Sequence, residues 1–287
     1  MTAAEDVACL IVSCPDRHGI VAALSGCLAD AGANIVNSDQ HSTDPEDGNF
    51  FLRMEFHLEG FAERRADLEN RLGAVAGEFG LQWRLSLTST RKRVALFVSR
   101  DDHCLLDLLW RWRRGELPMD VTCVVSNHSD LEREVSAFGV PYQHIPVTAE
   151  TKPAAEKRQL ELLAGNVDLV VLARYMQVLS SDFLRLIDAP VINIHHSFLP
   201  AFPGREPYVR AYERGVKLIG ATAHYATEVL DEGPIIEQDV SRVSHRERPE
   251  ELARIGQDIE RVVLARAVRW HLADRVLVDG NRTVVFA

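Results

Sequence analysis

Hydrophobic positions in the first part of the chain alternate between the spacing of strands and the spacing of helices. An apolar strand is followed by a helical stripe that begins at Ile20 and is closed by Gly32. The pattern then predicts a second strand and, at 49–58, an alternating strand of the half-buried antiparallel type. A second helical stripe and a last alternating strand complete it. The order βαββαβ predicts a small ferredoxin-like domain over residues 1–87.

The pattern changes after a polar segment at 88–93, which we interpret as a linker. From 94 to 287, continuously apolar strands alternate with helical stripes, as they do in a parallel sheet covered by helices on both faces. Near the C-terminus the pattern predicts a long helix that begins at Pro249 and a hairpin that turns at Asp279–Gly280. The predicted fold class is therefore α/β, a ferredoxin-like domain followed by a Rossmann-like domain with a mostly parallel sheet.

Composition limits the partners of these two domains. The 287 residues are 46% hydrophobic and 26% charged, and the net charge of −10 is made of interspersed acids and bases. Because tracking of phosphates requires a basic face, nucleic acid is not expected as a partner. Neither a membrane-length apolar run nor a signal-peptide pattern is visible, and the five cysteines lack C-x-x-C spacing. These features predict a cytoplasmic protein with reduced thiols and no membrane partner.

The segment 191–204, VINIHHSFLPAFPG, ends a predicted strand in polar and reactive side chains. Ligands of open parallel sheets bind beyond the carboxyl ends of the strands. Asn193 and His195 are two residues apart and are expected to point together, with His196 on the opposite face. An amide beside an imidazole can stabilise an oxyanion and move a proton, although the pair alone also fits a polar strand end. Asp231 could begin a turn, or it could orient His195 and hold a water.

These motifs resemble the folate-dependent formyltransferase family over about residues 94–287. The resemblance implies that Asn193, His195 and Asp231 form the catalytic set and that 10-formyltetrahydrofolate is the substrate, with no cofactor. The segment ARYMQVLS, residues 173–180, resembles the pterin-binding loop of the family. The folate-binding residues that the resemblance implies are Arg174, Met176, Val178, Leu199 and His224.

The first domain resembles ACT domains, which are small amino-acid-sensing modules, in the stretch DRHGIVAALSGCLADAGANI. The resemblance implies an amino-acid effector, and methionine or glycine is expected because each reports on the folate pool. The expected effector-binding residues are Asp16, Gly19, Ile20 and Asn34. ACT domains often pair edge to edge, so we expect a homo-oligomer, a dimer or a tetramer; a plain dimerisation module is the alternative.

An ACT domain ahead of a formyltransferase domain is the arrangement of the hydrolytic branch of that family. In this branch water accepts the formyl group, and the release of formate and tetrahydrofolate would balance the folate pool and supply purine biosynthesis. The segment SRDDHC at 99–104 has no glycine where members that use a nucleotide acceptor bind phosphate, and Asp101 and Asp102 are expected to repel a phosphate. The same acids also suit the start of a helix.

Two other functions stay open, a transferase with a non-phosphorylated acceptor and a non-catalytic folate or amino-acid sensor. A metal site made of His195, His196, His224 and Asp231 is disfavoured, because the adjacent His195 and His196 are expected to point to opposite faces of the strand. Binding of NAD is disfavoured, because no G-x-G-x-x-G follows an early strand. One departure from the family pattern, at Pro203 and Glu206, is expected to alter the rim of the folate site.

Overall fold

A computed structural model describes residues 6–44, 46–200 and 207–287, and its contacts divide the chain into two compact units. The first unit contains Met1–Arg91, Ala273–Asp279 and Val284–Ala287, and the second contains Lys92–Leu272 and Gly280–Thr283. The division after Arg91 falls inside the predicted linker. Most of the C-terminal hairpin belongs to the first unit, although the sequence suggested the second. The departure at Pro203 and Glu206 lies outside the described residues.

The first unit is built on a four-stranded antiparallel sheet. Its elements are β1 (Val7–Pro15), α1 (Ile20–Asp30), β2 (Asn34–Ser42), β3 (Asn49–His57), α2 (Phe61–Phe79) and β4 (Gln82–Leu87). The strand order β2-β3-β1-β4, with every neighbouring pair antiparallel, confirms the ferredoxin-like prediction. One face of the sheet packs on both helices through a core that includes Leu10, Leu24, Leu52 and Leu68.

The other face of β3 is also covered, which corrects the prediction of a half-buried strand. Phe51 and Arg53 are each 2% exposed. Phe51 packs with Leu277 of the C-terminal hairpin, and Arg53 donates hydrogen bonds to the carbonyl of Ala273, 220 residues later in the chain. A local alternation pattern cannot reveal cover that arrives from so distant a segment.

The second unit is built on a seven-stranded sheet. Its elements are β5 (Lys92–Val98), α3 (His103–Arg113), β6 (Met119–Ser126), α4 (Glu132–Ser136), β7 (Tyr142–His144), α5 (Lys152–Leu163), β8 (Leu169–Leu172), α6 (Ser181–Leu186), β9 (Val191–His195), α7 (Pro207–Arg214), β10 (Leu218–Tyr225), β11 (Ile235–Arg242) and α8 (Pro249–Leu272). The strand order is β11-β10-β9-β8-β5-β6-β7. The five strands from β9 to β7 are parallel, and β10 pairs antiparallel with both β9 and β11, which confirms a mostly parallel sheet.

The topology places the loops after β5, β8 and β9 at one edge of this sheet. The chain runs outward from β5 to β6 and β7 and then returns to β8 on the other side of β5, so a crevice opens at the carboxyl ends of β5 and β8. Strand β9 is the next neighbour of β8.

The predicted helix from Pro249 is confirmed, as is the hairpin of β12 (Val276–Asp279) and β13 (Arg282–Val285). Within the described residues, no helix is long and apolar enough to cross a membrane.

Candidate active site

The three residues predicted as catalytic come together in the second unit. Asn193 and His195 lie near the end of β9 and line the same cavity, as the strand alternation predicts. Asp231 lies in the connection between β10 and β11, and its Oδ1 is 3.1 Å from Nδ1 of His195. His224 is the β10 partner of Asn193 in the strand register, and the Asn193 amide nitrogen is 3.1 Å from its Nε2. The structure therefore also adds His224 to this cluster.

Hydrogen bonds fix where the protons of the cluster lie. His224 Nδ1 faces the carbonyl oxygen of Tyr225 at 3.0 Å, and since a carbonyl only accepts, this nitrogen carries the proton and Nε2 accepts from Asn193. Burial lowers the pKa of His224, so the ring is neutral at pH 7. Burial opposes the charge of Asp231, but the hydrogen bond from His195 holds the pKa of this carboxyl below its ordinary value. Asp231 is therefore ionised and accepts from His195 Nδ1.

This pairing leaves the other nitrogen of His195, Nε2, available for proton transfer. His195 is 6% exposed, and its Nε2 makes no hydrogen bond to any residue in the described part of the chain. With Nδ1 donating to Asp231, the neutral ring has a lone pair at Nε2, which can take a proton from water and later return it. Asn193 spends one of its two amide N–H groups on His224, and the second can stabilise an oxyanion.

A cavity of about 590 Å³ opens over this cluster. Its walls come from the loop after β8, the end of β9 and the connection between β10 and β11, and they include four predicted folate-binding residues, Arg174, Met176, Val178 and His224. Leu199 is not among the described residues that line it; Leu199 is buried, and its N–H donates to Thr222 Oγ1 at 3.0 Å. Apolar walls around a few converging polar groups are typical of a small-molecule site.

Arg174 is committed to acidic partners. Its Nη2 is 2.8 Å from Asp101 Oδ2, and its Nε is 3.5 Å from Glu260 Oε2. The backbone of Arg174 has a φ of 66°, and Ser99 holds the loop at this point by donating to the Arg174 carbonyl and accepting from the N–H of Met176. Arg174 thus shapes the loop that lines the cavity. Because Asp101 is paired with it, the expected repulsion of a phosphate by Asp101 is largely compensated.

A buried carboxylate near the cavity escaped the sequence analysis. Glu260 of α8 is 1% exposed and accepts from His103 Nε2 at 2.9 Å and from the Tyr208 hydroxyl at 2.8 Å. Burial opposes its charge, but the hydrogen bond from His103 and the nearby Arg174 keep the pKa of Glu260 below its ordinary value. His103, Cys104 and Glu260 each offer one potential metal-ligand atom, and the three atoms lie within 4.8 Å of one another. Because Arg174 already supplies positive charge beside Glu260, we interpret this cluster as a structural ion-pair network and not as a metal site.

His196 lines the same cavity as His195, which corrects the prediction that it faces the other way. Strand β9 ends at His195, so the alternation of the strand does not extend to the next residue. The two imidazole centroids are 5.2 Å apart. Burial, assisted by the positive charge of Arg174, lowers the pKa of His196 to about 4, so this ring is also neutral at pH 7.

A second cavity, of about 450 Å³, lies in the first unit, at the start of α1. Its lining includes the predicted Asp16, Gly19 and Ile20 together with Gln40, His41 and Ser42. Gly19 precedes α1 with a φ of 92°, a conformation that glycine adopts without strain. Asn34 is not among the described lining residues: it begins β2, whereas the end of that strand faces the cavity, where Ser42 donates to Asp16.

Comparisons with known proteins agree with this architecture. The family model for the formyl transferases matches residues 92–268, and the model for the ACT domain matches 10–77. The formyltetrahydrofolate deformylase of Mycobacterium tuberculosis H37Rv is 60% identical over 98% of this chain and 91% of its own length. That of Bacillus subtilis 168 is 53% identical over 98% of this chain and 94% of its own length.

Solved structures show the same division. The formyltetrahydrofolate deformylase of Burkholderia mallei, 44% identical, superposes with a TM-score of 0.92 over 98% of this chain and all (100%) of that one. A glycinamide ribonucleotide transformylase of Symbiobacterium toebii, 33% identical, superposes with a TM-score of 0.65 over 69% of this chain and 95% of that one. Similarity to the deformylases thus covers both units, and similarity to the transformylase covers a smaller part of the chain.

Proposed function

Because the chain belongs to the formyltetrahydrofolate deformylase family and hydrolyses 10-formyltetrahydrofolate to formate and tetrahydrofolate, we propose that Asn193, His195 and Asp231 carry out this reaction. The observation that carries the proposal is the state of His195. One ring nitrogen is bound to an ionised carboxylate, and the other is buried and has no partner among the described residues, in a side chain that lines the cavity. An imidazole held in this way is suited to accept and return a proton.

In the first step of the proposed mechanism, water attacks the formyl carbon. A bond forms between the water oxygen and that carbon while one proton of the water passes to His195 Nε2. The carbonyl oxygen becomes an oxyanion, which the second N–H of Asn193 stabilises. The carboxylate of Asp231, 3.1 Å from Nδ1, stabilises the imidazolium that forms.

In the second step, the bond between the formyl carbon and N10 of the folate breaks. His195 Nε2 returns its proton to N10, and the products are tetrahydrofolate and formic acid, which loses its proton to solvent. His195 is then neutral again. The cycle needs no metal or cofactor, so we expect dialysis against a chelator to leave turnover unchanged.

We infer that the pteridine ring enters beside Met176 and Val178, whose side chains are each 55% exposed at the cavity. Arg174 and His224 serve the folate site indirectly, Arg174 by fixing the loop after β8 and His224 by orienting the Asn193 amide. Leu199 supports the backbone that follows β9. Met176→Ala should therefore raise the KM for the folate with little change in kcat.

The assay for the reaction is formate release from 10-formyltetrahydrofolate with no acceptor added. We expect steady release, and no formylation of glycinamide ribonucleotide when it is supplied. Turnover that requires a non-phosphorylated amine would indicate a transferase, and folate binding without turnover would indicate a sensor. Inside the cell, we propose that the enzyme works in the cytoplasm, balances the folate pool and supplies formate for purine biosynthesis.

For the first unit we propose an amino-acid effector, methionine or glycine. The Asp16 carboxylate in its cavity suits an ammonium group, and the N–H groups at the start of α1, which have no side-chain cap in the described structure, suit a carboxylate. Allosteric control requires a coupling of about 1–3 kcal/mol, or roughly 5–150-fold. Titration of activity with each amino acid should show this response in the wild type and in Asp30→Asn, but not in Asp16→Asn. Unaltered wild-type activity at millimolar amino acid would leave only a role in assembly.

We also propose that the chain forms a dimer or a tetramer through the first unit. Strand β2 lies at the edge of its sheet, and the side chain of Val36 on that strand is 54% exposed. An open edge strand can pair with the same strand of a second copy. Light scattering on the purified protein measures the assembly directly, and a monomer at micromolar concentration would contradict the proposal.

A further inference from the structure

The hydrolytic water needs a second hydrogen-bond acceptor besides His195 Nε2. A water molecule has two O–H groups, and His195 Nε2 can accept only one of them. If the second O–H is unbound, the water can rotate, and its lone pair is not held towards the formyl carbon. Asp231 is badly placed for this task, because it is bound at Nδ1 and the two nitrogens of an imidazole point in divergent directions.

We propose that His196 binds the hydrolytic water by accepting its second O–H, so that the water lies between the two adjacent imidazoles. The inference rests on the mechanism proposed above and adds to it a residue that selects water as the nucleophile. His196 lines the cavity beside His195. It makes no other side-chain hydrogen bond within the described chain, so a nitrogen of its ring is available.

The separation of the two rings fits one bridging water. Two acceptors that share a water at about 2.8 Å each lie roughly 4.5 Å apart. The ring centroids of His195 and His196 are 5.2 Å apart, with an angle of 37° between the planes. Rings this close allow one water to reach a nitrogen of each. The depressed pKa of His196 keeps this ring neutral through the physiological range, so that it retains a lone pair for the water.

The side chains behind His196 hold it in place. The ring of Tyr208 packs on it with a centroid distance of 6.2 Å, and the Tyr208 hydroxyl donates to the buried Glu260 at 2.8 Å. Gly256 leaves the space for this hydroxyl, since a Cβ at that position would lie 1.8 Å from it. An acceptor held in this way loses little freedom when water binds, which is the requirement for a preorganised site.

The test compares His196→Phe, which keeps a ring against Tyr208 but has no acceptor, with His196→Gln, which restores an acceptor oxygen. The same two substitutions at His144, which is exposed at the end of β7, serve as matched controls. We expect His196→Phe to lower kcat for formate release roughly tenfold or more, the effect of losing one hydrogen bond in the transition state, with the KM for the folate within about threefold of wild type. His196→Gln should recover part of the loss, and the His144 variants should behave as wild type.

A second readout separates water binding from general damage. Hydroxylamine can attack the formyl group in place of water, and it does not depend on the site between the two rings. In His196→Phe we expect the ratio of formyl hydroxamate to formate to rise roughly tenfold, because only attack by water is lost. Normal formate release, a raised KM with unchanged kcat, or a parallel fall of both products would each overturn the assignment. Failure of the wild type itself to hydrolyse the folate would instead refute the function.

Discussion

Replacement of Asp231 by asparagine is the sharpest perturbation of the proposed mechanism. The backbone of Asp231 has a φ of 60°, a left-handed conformation that asparagine adopts as readily as aspartate. The substitution therefore removes the charge and leaves the turn between β10 and β11 in place. Alanine would add backbone strain and confuse the result.

The magnitude of the effect follows from the distance between Asp231 and His195. A full imidazolium–carboxylate pair at 3.1 Å is worth about 5 kcal/mol at an effective dielectric constant of ~20. The loss in the variant is smaller than this value for two reasons. The asparagine oxygen can still accept the hydrogen bond, and the Asp231 side chain is 11% exposed, which weakens the ion pair in the wild type. We therefore expect kcat for formate release to fall by about 10²–10⁴-fold.

The assay is formate release at saturating 10-formyltetrahydrofolate, together with the KM and the thermal unfolding midpoint of the variant. Glu228→Gln is the matched control, because it removes an exposed acid that lines the same cavity but does not contact His195 among the described contacts. We expect this control to keep kcat within a few-fold of wild type. A kcat above one tenth of wild type in Asp231→Asn would refute the role given to Asp231.

Two further predictions concern stability. Glu260→Gln should lower the free energy of unfolding by about 2–4 kcal/mol, because the buried Arg174 keeps Asp101 but loses the other of its two acidic partners. In urea denaturation, the double variant Arg174→Met/Glu260→Met should lose less than the sum of Arg174→Met and Glu260→Met measured singly; additive losses would contradict this. The folded pKa of His196 is about 4, against an ordinary value of 6.5, so the unfolded chain binds more protons between these pH values and stability falls as the pH drops from 6.5 to 4, by roughly 3 kcal/mol from this residue. His196→Phe should have a shallower dependence, and an equal slope would contradict the assigned shift.

The fold of both units could be predicted to the extent that it depends on local pattern. The order βαββαβ and the alternation of apolar strands with helices are written in the spacing of hydrophobic residues. The burial of Phe51 and Arg53 could not be predicted, because the residues that cover them, Leu277 of the hairpin and Ala273 just before it, lie more than two hundred residues away in the sequence. Local spacing does not encode which distant segments meet.

The candidate site was predictable where a motif lies on regular structure. The alternation of β9 placed Asn193 and His195 together, and it failed at His196 because the strand ends one residue earlier. Glu260 gave no signal, since an acid in a charged helix reads as a solvated residue until the neighbouring His103 and Tyr208 are known. Such partners become visible only when the tertiary contacts are known.

The most direct test of the proposed chemistry is the source of the oxygen in the released formate. When 10-formyltetrahydrofolate is hydrolysed in water enriched in oxygen-18, attack of water on the formyl carbon places one labelled oxygen in each formate. We predict one label per formate in the wild type, with no acceptor present. In Asp231→Asn, the rate at which labelled formate appears should fall by about 10²–10⁴-fold. Formate without label, or turnover only after an amine acceptor is added, would contradict the account.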